Sequence, residues 1–308
     1  MTKLVFSGAT SSVTRMIGNV FFNGRFIPAA QAQVSIFDRG WMYGDGLFET
    51  LRVANGKPFQ WALHWDRLRR GAEFLQLRAP FSSAELRQAA EQLSLLNGVP
   101  DGILRLAASR GVGPRGYSPR GAETPTWVMT LGAFPTQPNG PVAESPLRWR
   151  AVTSRQIRLQ PGALASMKTA NRLPQILARR EADEAGVDDA VGCDLEGHLA
   201  EASSGNVFWI RDGALHTPPI ALGGLPGIAR STVCEMARSL GVMVKEVVVR
   251  PSELSEVDGM VISLSTYGVV EVVELDGIKL SCDPLSRRLW QAWENLVADE
   301  TSDKSNAV

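Results

Sequence analysis

Lys168 stands in ALASMKTANRLPQ, among small and apolar residues just ahead of a helical stretch. An amine desolvated in such a setting loses proton affinity and becomes a nucleophile that can condense with a carbonyl carbon. Taken alone, the segment describes an exposed loop lysine equally well. Glu201 stands in HLAEASSGNVFWI (198–210), between two strand-like segments. A buried carboxylate there can pair with a protonated ring nitrogen; the competing reading is a solvated turn glutamate. In LGGLPGIAR (222–230), glycines lead into a helix beginning near Ile228. Free backbone N–H groups and the helix dipole make such a start a phosphate site, although an ordinary Gly-rich turn has the same letters. Together the three segments offer an amine, a carboxylate and a phosphate cradle. Pyridoxal 5′-phosphate requires that set: a lysine for its aldehyde, an acidic partner for its ring nitrogen and an anchor for its phosphate.

A second cofactor signal fails on inspection. Residues 111–116 read GVGPRG, letter for letter the G-x-G-x-x-G dinucleotide fingerprint, after the apolar run ILRLAAS (103–109). That fingerprint needs a helix next, and an acidic residue about 20 positions on. Here Pro114, Pro119 and Pro125 exclude a regular helix. The stretch is either a plain surface loop or a shaped loop presenting Arg115, whose planar fork suits a substrate carboxylate.

The elements that must position these groups read clearly in places. NVFFNGRFIPA (19–29) and LRVANGKPFQW (51–61) are hairpins around Asn-Gly. Residues 62–77 carry apolar side chains near helical spacing, and 82–98 is a helix capped by Ser82 or Ser83 and stopped at Gly98. Segments 103–109, 126–134, 147–154, 188–194 and 206–210 read as strands, as do VMVKEVVV, DGMVISLS and VVEVVEL; 171–186, 227–241 and 284–300 read as helices. The four prolines of 134–146 mark a linker. The expected organisation is a two-domain α+β / α/β protein: a small α+β N-terminal domain over 17–135, a linker over 136–146 and a larger β-rich C-terminal domain over 147–300. Residues 1–16 and 301–308 are expected to be flexible termini.

Composition narrows the class. The 308 residues are 44% hydrophobic and 21% charged, with zero formal net charge, which argues against a nucleic-acid partner. No apolar stretch is long enough to span a membrane, and the N-terminus lacks a secretory apolar core. The three cysteines, 193, 234 and 282, form neither a disulfide framework nor a metal pattern, and the three histidines lack metal-ligand spacing. A cytoplasmic protein without a bound metal is expected.

At this point the sequence resembles the class IV (fold type IV) pyridoxal-phosphate aminotransferases, a family that includes branched-chain and D-amino acid aminotransferases and aminodeoxychorismate lyase. The resemblance runs over about residues 18–280. It is carried by FDRGWMYGDGLFETLRV (37–53), HWDRLRRGAEFL (64–75), KTANRLPQILARREADEAGVDDAV (168–191), HLAEASSGNVFWIRDGALHTPP (198–219), LGGLPGIAR (222–230) and MVISLSTYGVVEVVELDG (260–277).

The resemblance implies the fold-type-IV architecture and residue roles. Lys168 matches the lysine that forms the Schiff base and shuttles the proton. Glu201 matches the carboxylate at the ring nitrogen, and Arg67 the phosphate-binding arginine. Ile228 and Ala229 match the helix-start residues whose N–H groups hold phosphate; many members have Thr where Ala229 stands, so one hydroxyl contact is missing. Ser265 matches a phosphate hydroxyl position and Thr266 its neighbour, while Arg172 stands where several members have a Tyr near the ring hydroxyl. Arg115, Tyr117, Tyr43, Thr50 and Arg52 match substrate-side positions. Members are usually homodimers in which a loop of the partner subunit reaches the active site. An amino donor and a 2-keto acid acceptor are the implied small molecules.

The reaction within the family divides on few residues. Pro114-Arg115 resembles the D-amino acid enzymes. Arg115-Gly116-Tyr117, Thr50, Arg52 and K-T-A-N-R-L resemble the lyase, but Leu264 stands where lyase members often carry Asn. The expectation is a transaminase of the D-amino acid type, with aminodeoxychorismate lyase as the alternative and branched-chain activity third. A cofactor-free binding protein would be expected to have lost Lys168, Glu201 or Arg67, and all three are present.

Overall fold

The computed structural model describes residues 18–134 and 145–302. Most of the expected linker 136–146, the expected tail 1–16 and residues 303–308 therefore lie outside the described residues. The first described stretch holds β1 (Asn19–Phe22), β2 (Arg25–Pro28), α1 (Arg39–Tyr43), β3 (Gly46–Ala54), β4 (Lys57–Pro58), α2 (Trp61–Phe74), α3 (Ser83–Asn97), β5 (Gly102–Ser109) and β6 (Thr126–Ala133). The second holds β7 (Arg148–Leu159), α4 (Leu173–Ala185), β8 (Asp189–Asp194), β9 (Leu199–Ala202), β10 (Asn206–Arg211), β11 (Ala214–Thr217), α5 (Ile228–Ser239), β12 (Val244–Glu246), β13 (Gly259–Leu264), β14 (Gly268–Leu275), β15 (Ile278–Lys279) and α6 (Pro284–Thr301).

The smaller lobe is a six-stranded antiparallel sheet in the order β2-β1-β6-β5-β3-β4. Both Asn-Gly pairs make the expected hairpin turns: Asn23, Gly24, Asn55 and Gly56 all have positive φ, which these residue types tolerate. One sheet face packs on α2 and α3 through Leu47, Leu51, Leu68, Leu86, Leu93, Leu104 and Met129. Ser82 caps α3 in a reciprocal box with Glu85, and Gly98 ends it in the left-handed conformation.

The larger lobe is a nine-stranded mixed sheet, β12-β11-β10-β13-β14-β7-β8-β9 with β15 against β14. It curls until β9 returns beside β10, where Ala202 N–H donates to Gly205 O at 2.8 Å. The curl encloses one core, including Val191, Leu199, Val207, Ile262 and Val270. A second core lies outside it, where Phe208, Val261 and Val269 meet Val233 of α5 and Leu289 and Trp293 of α6. Because strands such as β8 and β13 are buried on both faces, they read as continuous apolar runs rather than alternating ones.

Three sequence expectations shift. Glu201 lies within strand β9, whose four residues are all buried, rather than in a turn. Strand β7 runs on to Leu159, with an irregular register between Thr153 and Arg158 and with Ile157 fully buried against Ala178, Ala182 and Ala190 although its sequence neighbours are polar. VMVKEVVV shrinks to the three-residue edge strand β12, because only β11 offers it a ladder.

The lobes are joined by polar contacts around the β3–β4 hairpin. Arg52 pairs with Glu294 at 2.7 Å, Asn55 Nδ2 donates to Thr301 Oγ1 at 3.2 Å, and Gln60 Nε2 donates to Thr232 Oγ1 at 2.8 Å. Phe59 meets the Trp293 ring edge-on at 5.3 Å. Sheet β1–β6 is thereby fixed against α5 and α6, and the main cavity of the molecule lies between the lobes.

Candidate active site

The cavity has a volume of about 670 Å³, within the range of small-molecule sites. Strand β3 supplies one wall. Its period of two points Phe48 and Thr50 into the cavity and Leu47, Glu49 and Leu51 toward the lobe's own helices. The same strand holds the lysine loop: Phe48 N–H donates to Lys168 O, and Ala170 N–H to Gly46 O, both at 2.9 Å. Arg172, at the head of α4, clamps this loop from the other side by donating to Thr169 O at 3.1 Å and Met167 O at 3.0 Å. The Lys168 side chain enters the cavity with Nζ 4.9 Å from the centre of the Phe48 ring. Burial, with the nearby Arg67 charge, pulls its pKa down to about 8. A nucleophilic, readily deprotonated amine is the result.

Glu201 reaches the cavity from β9, 6% exposed. Burial pushes its carboxyl pKa up; the Leu225 N–H, at 2.8 Å, and the charges of Arg172 and Lys168 counter this only in part. It is a carboxylate short of cationic company.

The third wall is polar backbone. α5 begins at Ile228 after Gly227 with no side-chain cap, so its first N–H groups are free where Gly227, Ile228 and Ala229 line the cavity. A Cβ at Gly227 would lie 1.9 Å from Asn206 Oδ1, so only glycine fits there. Arg67 arrives from α2 and bridges the lobes by donating from Nη1 to Pro226 O at 3.2 Å. Ser265 and Thr266, in the turn between β13 and β14, line the same region. Nearby, the buried Ser263 Oγ faces the cavity with no partner.

Nine sequence candidates thus converge on one cavity: Lys168, Arg67, Glu201, Arg172, Ile228, Ala229, Ser265, Thr266 and Thr50. Four do not line it. Arg52 is turned to Glu294 and to the Phe134 ring, a lobe-bridging role its sequence position did not reveal. Arg115, Tyr117 and Tyr43 belong to the GVGPRG loop and its support. That loop contains no helix, as its prolines require, but it is shaped. The buried Arg39 donates to Gly116 O at 2.7 Å and Tyr117 O at 3.0 Å, and Gly116 N–H donates to Tyr43 Oη at 3.0 Å.

Sequence reading missed Glu49, His64, Ser263, Phe48 and Gln175. Glu49 and His64 sit inside the quoted motifs, and their pairing depends on a strand and a helix meeting in space. Elsewhere, Asp194, Glu196 and His198 cluster within 4.8 Å, a grouping the histidine spacing did not suggest. There Asp194 closes a turn by accepting from the N–H groups of Glu196 and His198, and it pairs with the His198 ring at 3.0 Å.

The residues present fit pyridoxal phosphate. A single amine lies beside the aromatic face of Phe48, an under-neutralised carboxylate suits a protonated ring nitrogen, and an uncapped helix start with Arg67 suits a phosphate. The buried Ser263 hydroxyl, without a partner in the protein, adds a polar group in the same lining.

Comparison with known proteins agrees. The family described as amino-transferase class IV matches residues 46–275. A putative branched-chain-amino-acid aminotransferase of Methanocaldococcus jannaschii is 34% identical over 84% of this chain and 88% of its own length. A D-alanine aminotransferase of Bacillus licheniformis is 30% identical, covering 92% and 98%. An aminodeoxychorismate lyase of Vibrio harveyi is 30% identical, covering 84% and 95%. Among solved structures, the Escherichia coli branched-chain amino acid aminotransferase superposes with a TM-score of 0.85 at 26% identity, covering 94% of this chain and 98% of that one.

Proposed function

The chain belongs to the class IV amino-transferase family of pyridoxal-phosphate-dependent enzymes, and on that premise we propose that it is a transaminase exchanging an amino group between an amino acid of the D type and a 2-keto acid. The observation that carries the reading is the buried Lys168 amine, with its lowered pKa, in one cavity with Glu201 and the Arg67–Ile228 cradle.

Arg67, the N–H groups of Ile228 and Ala229, and the hydroxyls of Ser265 and Thr266 would hold the cofactor phosphate. Glu201 would stand at the ring-nitrogen end, where its negative charge would favour the protonated ring. When bound, the cofactor supplies an aldehyde carbon that condenses with amines and a ring that withdraws electrons from the substrate Cα. Lys168 Nζ takes the proton from that Cα. Phe48 covers one side of the Lys168 amine, and Arg172 keeps the lysine loop in register.

Arg115 serves the substrate carboxylate of a neighbouring subunit in a homodimer. Its loop lies beside a strongly apolar surface, with Ile36 69%, Phe37 60%, Trp41 76% and Tyr117 89% exposed, a patch that a second copy would cover. Cytoplasmic residence is part of the same proposal; no described helix is long and apolar enough to cross a membrane.

One observation favours a second reading. Thr50 places a hydroxyl in the cavity on the same strand as Phe48, which supports aminodeoxychorismate lyase, a reaction that would yield pyruvate and 4-aminobenzoate. Mixing the holoenzyme separately with D-alanine, L-leucine and aminodeoxychorismate, with no keto acid acceptor, decides between them. A transaminase converts its cofactor to the pyridoxamine form once and stops. A lyase releases pyruvate over many turnovers and keeps its visible band. Purified protein that stays colourless after addition of pyridoxal phosphate would defeat both.

A further inference from the structure

Behind the cavity wall lies a cluster of ionisable groups that the proposed chemistry does not touch. Glu49, on β3, points away from the cavity between Phe48 and Thr50 and is 1% exposed. Its Oε1 accepts from Arg67 Nε at 2.8 Å, and its Oε2 accepts from Arg67 Nη2 at 2.6 Å. This is a two-point grip on one edge of the guanidinium, and bidentate geometry fixes the plane of an arginine as well as its position. The same Oε2 lies 2.7 Å from Nδ1 of His64, one turn before Arg67 on α2 and 2% exposed. Glu49 can only accept, so the imidazole carries its proton on Nδ1. Burial pushes the His64 pKa below its ordinary value, which keeps the ring neutral and a donor.

The edge of Arg67 that Glu49 leaves free is Nη1, directed at Pro226 O in the loop that starts α5. The guanidinium is therefore held by its back edge, with its front edge at the phosphate cradle. An unheld arginine of this length would spread over many rotamers and lose entropy on each encounter with a phosphate.

We propose that Glu49 and His64 are positioning residues that fix the plane of Arg67 for the cofactor phosphate, so that the protein discriminates the phosphorylated aldehyde from its dephosphorylated counterpart through a strand that also carries the lysine loop. Strand β3 is then a common ruler: Phe48 sets the Lys168 backbone by its N–H, and Glu49, one residue on, sets Arg67 on the opposite face. The span between amine and phosphate grip is written into consecutive residues. Glu49 never meets the cofactor; it acts through Arg67.

This inference rests on the cofactor assignment above, and the test separates the two. Cofactor-stripped full-length protein is titrated with pyridoxal 5′-phosphate and with pyridoxal, following the visible band and the quenching of tryptophan fluorescence. Glu49→Gln keeps the side-chain shape but loses the charge and turns an amide N–H₂ toward the arginine. It is expected to weaken pyridoxal phosphate binding about 10- to 100-fold, the loss of charge-assisted hydrogen bonds, while pyridoxal affinity stays within about 3-fold. His64→Asn, which can still offer one N–H to the carboxylate, should lower the ratio of the two affinities less than His64→Ala does. The histidine pair supplies the same test should Glu49→Gln fail to fold, as near-UV circular dichroism would reveal. An unchanged affinity ratio in folded Glu49→Gln, or in both His64 variants, overturns the positioning role. Equal weakening toward both aldehydes overturns it too, by showing a general structural effect. Wild-type protein that forms no band with either aldehyde overturns the cofactor assignment instead.

Discussion

Two buried glutamates, Glu201 lining the cavity and Glu49 behind its wall, are held in opposite states. Burial alone would push either carboxyl up. At Glu49 the hydrogen bonds and charges of Arg67 and His64 outweigh that push and hold the pKa at about 2. At Glu201 the Leu225 N–H, at 2.8 Å, and the more distant charges of Arg172 and Lys168 do not, and the pKa stays above its ordinary value. Residue type and depth are nearly the same; the partners decide. Glu49 is a permanent anion spent on internal order. Glu201 is an anion left wanting a cation, which is what a site needs where a protonated ring nitrogen must bind. Lys168 feels both charges, with burial the larger influence.

The largest test of that contrast removes the amine that feels both charges. Lys168→Ala should abolish the covalent visible band and lower kcat by on the order of 10⁴-fold or more. A retained band, measured by absorbance after removal of free cofactor, would move the reacting amine elsewhere. Next, Glu201→Gln keeps the shape and the bond from Leu225 but removes the charge. A drop in kcat of about 10²- to 10³-fold is expected, with pyridoxal phosphate still bound. Unchanged kcat would mean that Glu201 does not serve the ring nitrogen. Should Glu49→Gln lower kcat as far as Glu201→Gln at saturating cofactor, the division of labour between the two glutamates would fail.

The contrast also sets opposite pH dependences. Folding lowers the Glu49 pKa from 4.5 to about 2, so Glu49 stabilises the folded state above pH about 4.5. That contribution, about 3 kcal/mol at neutral pH, is lost as the pH falls toward 2. Glu201 has the other sign. Its raised pKa means that ionising it costs the folded state stability as the pH rises above the ordinary carboxyl range. Urea unfolding of the cofactor-free protein between pH 3 and 7 should therefore show a shallower acid limb in Glu49→Gln than in wild type. Glu201→Gln should be at least as stable as wild type near pH 7. Parallel curves for all three would erase the contrast. For Lys168, the rate at which cofactor-stripped protein captures pyridoxal phosphate should rise as the pH climbs through about 8 and then level, since only the deprotonated amine attacks.

How much of this was legible in the sequence depends on whether a role is local. The hairpins at Asn23-Gly24 and Asn55-Gly56, the capped helix from Ser82 and the helix start at Ile228 each follow from a few adjacent residues, and each stands where it was expected. Lys168, Glu201 and Arg67 stand out through motifs long enough to be specific, and the cavity gathers all three. Glu49 lies inside the quoted FDRGWMYGDGLFETLRV, yet its partners are 15 and 18 residues on, and nothing in a linear pattern shows that a strand face and a helix face will meet. Arg52 misled for a related reason. Two residues past Thr50, it shares that residue's side of β3, but the strand has by then left the cavity and reached α6, where Glu294 takes it. Strand β9 went unread because a four-residue strand with a central glutamate has no alternation to betray it.

The smallest effect concerns the loop that imitated a nucleotide motif. Its backbone is fixed by Arg39 and Tyr43, whereas Arg115 lies outside the cavity of its own chain, unlike Lys168, Arg67 and Glu201. If Arg115 serves a neighbouring subunit's substrate, Arg115→Ala removes one charge-assisted hydrogen bond worth about 1.5–3 kcal/mol. KM for carboxylate substrates should then rise about 10- to 150-fold, with kcat and cofactor affinity unchanged. That pattern would separate substrate recognition, delivered across an interface, from cofactor chemistry, completed within one chain. Dilution supplies the complement: the KM advantage of wild type over Arg115→Ala should vanish at concentrations where light scattering shows only monomer. An advantage that survives dissociation would mean that the loop bends back to its own cavity, and an unchanged KM in the variant would remove Arg115 from substrate binding altogether.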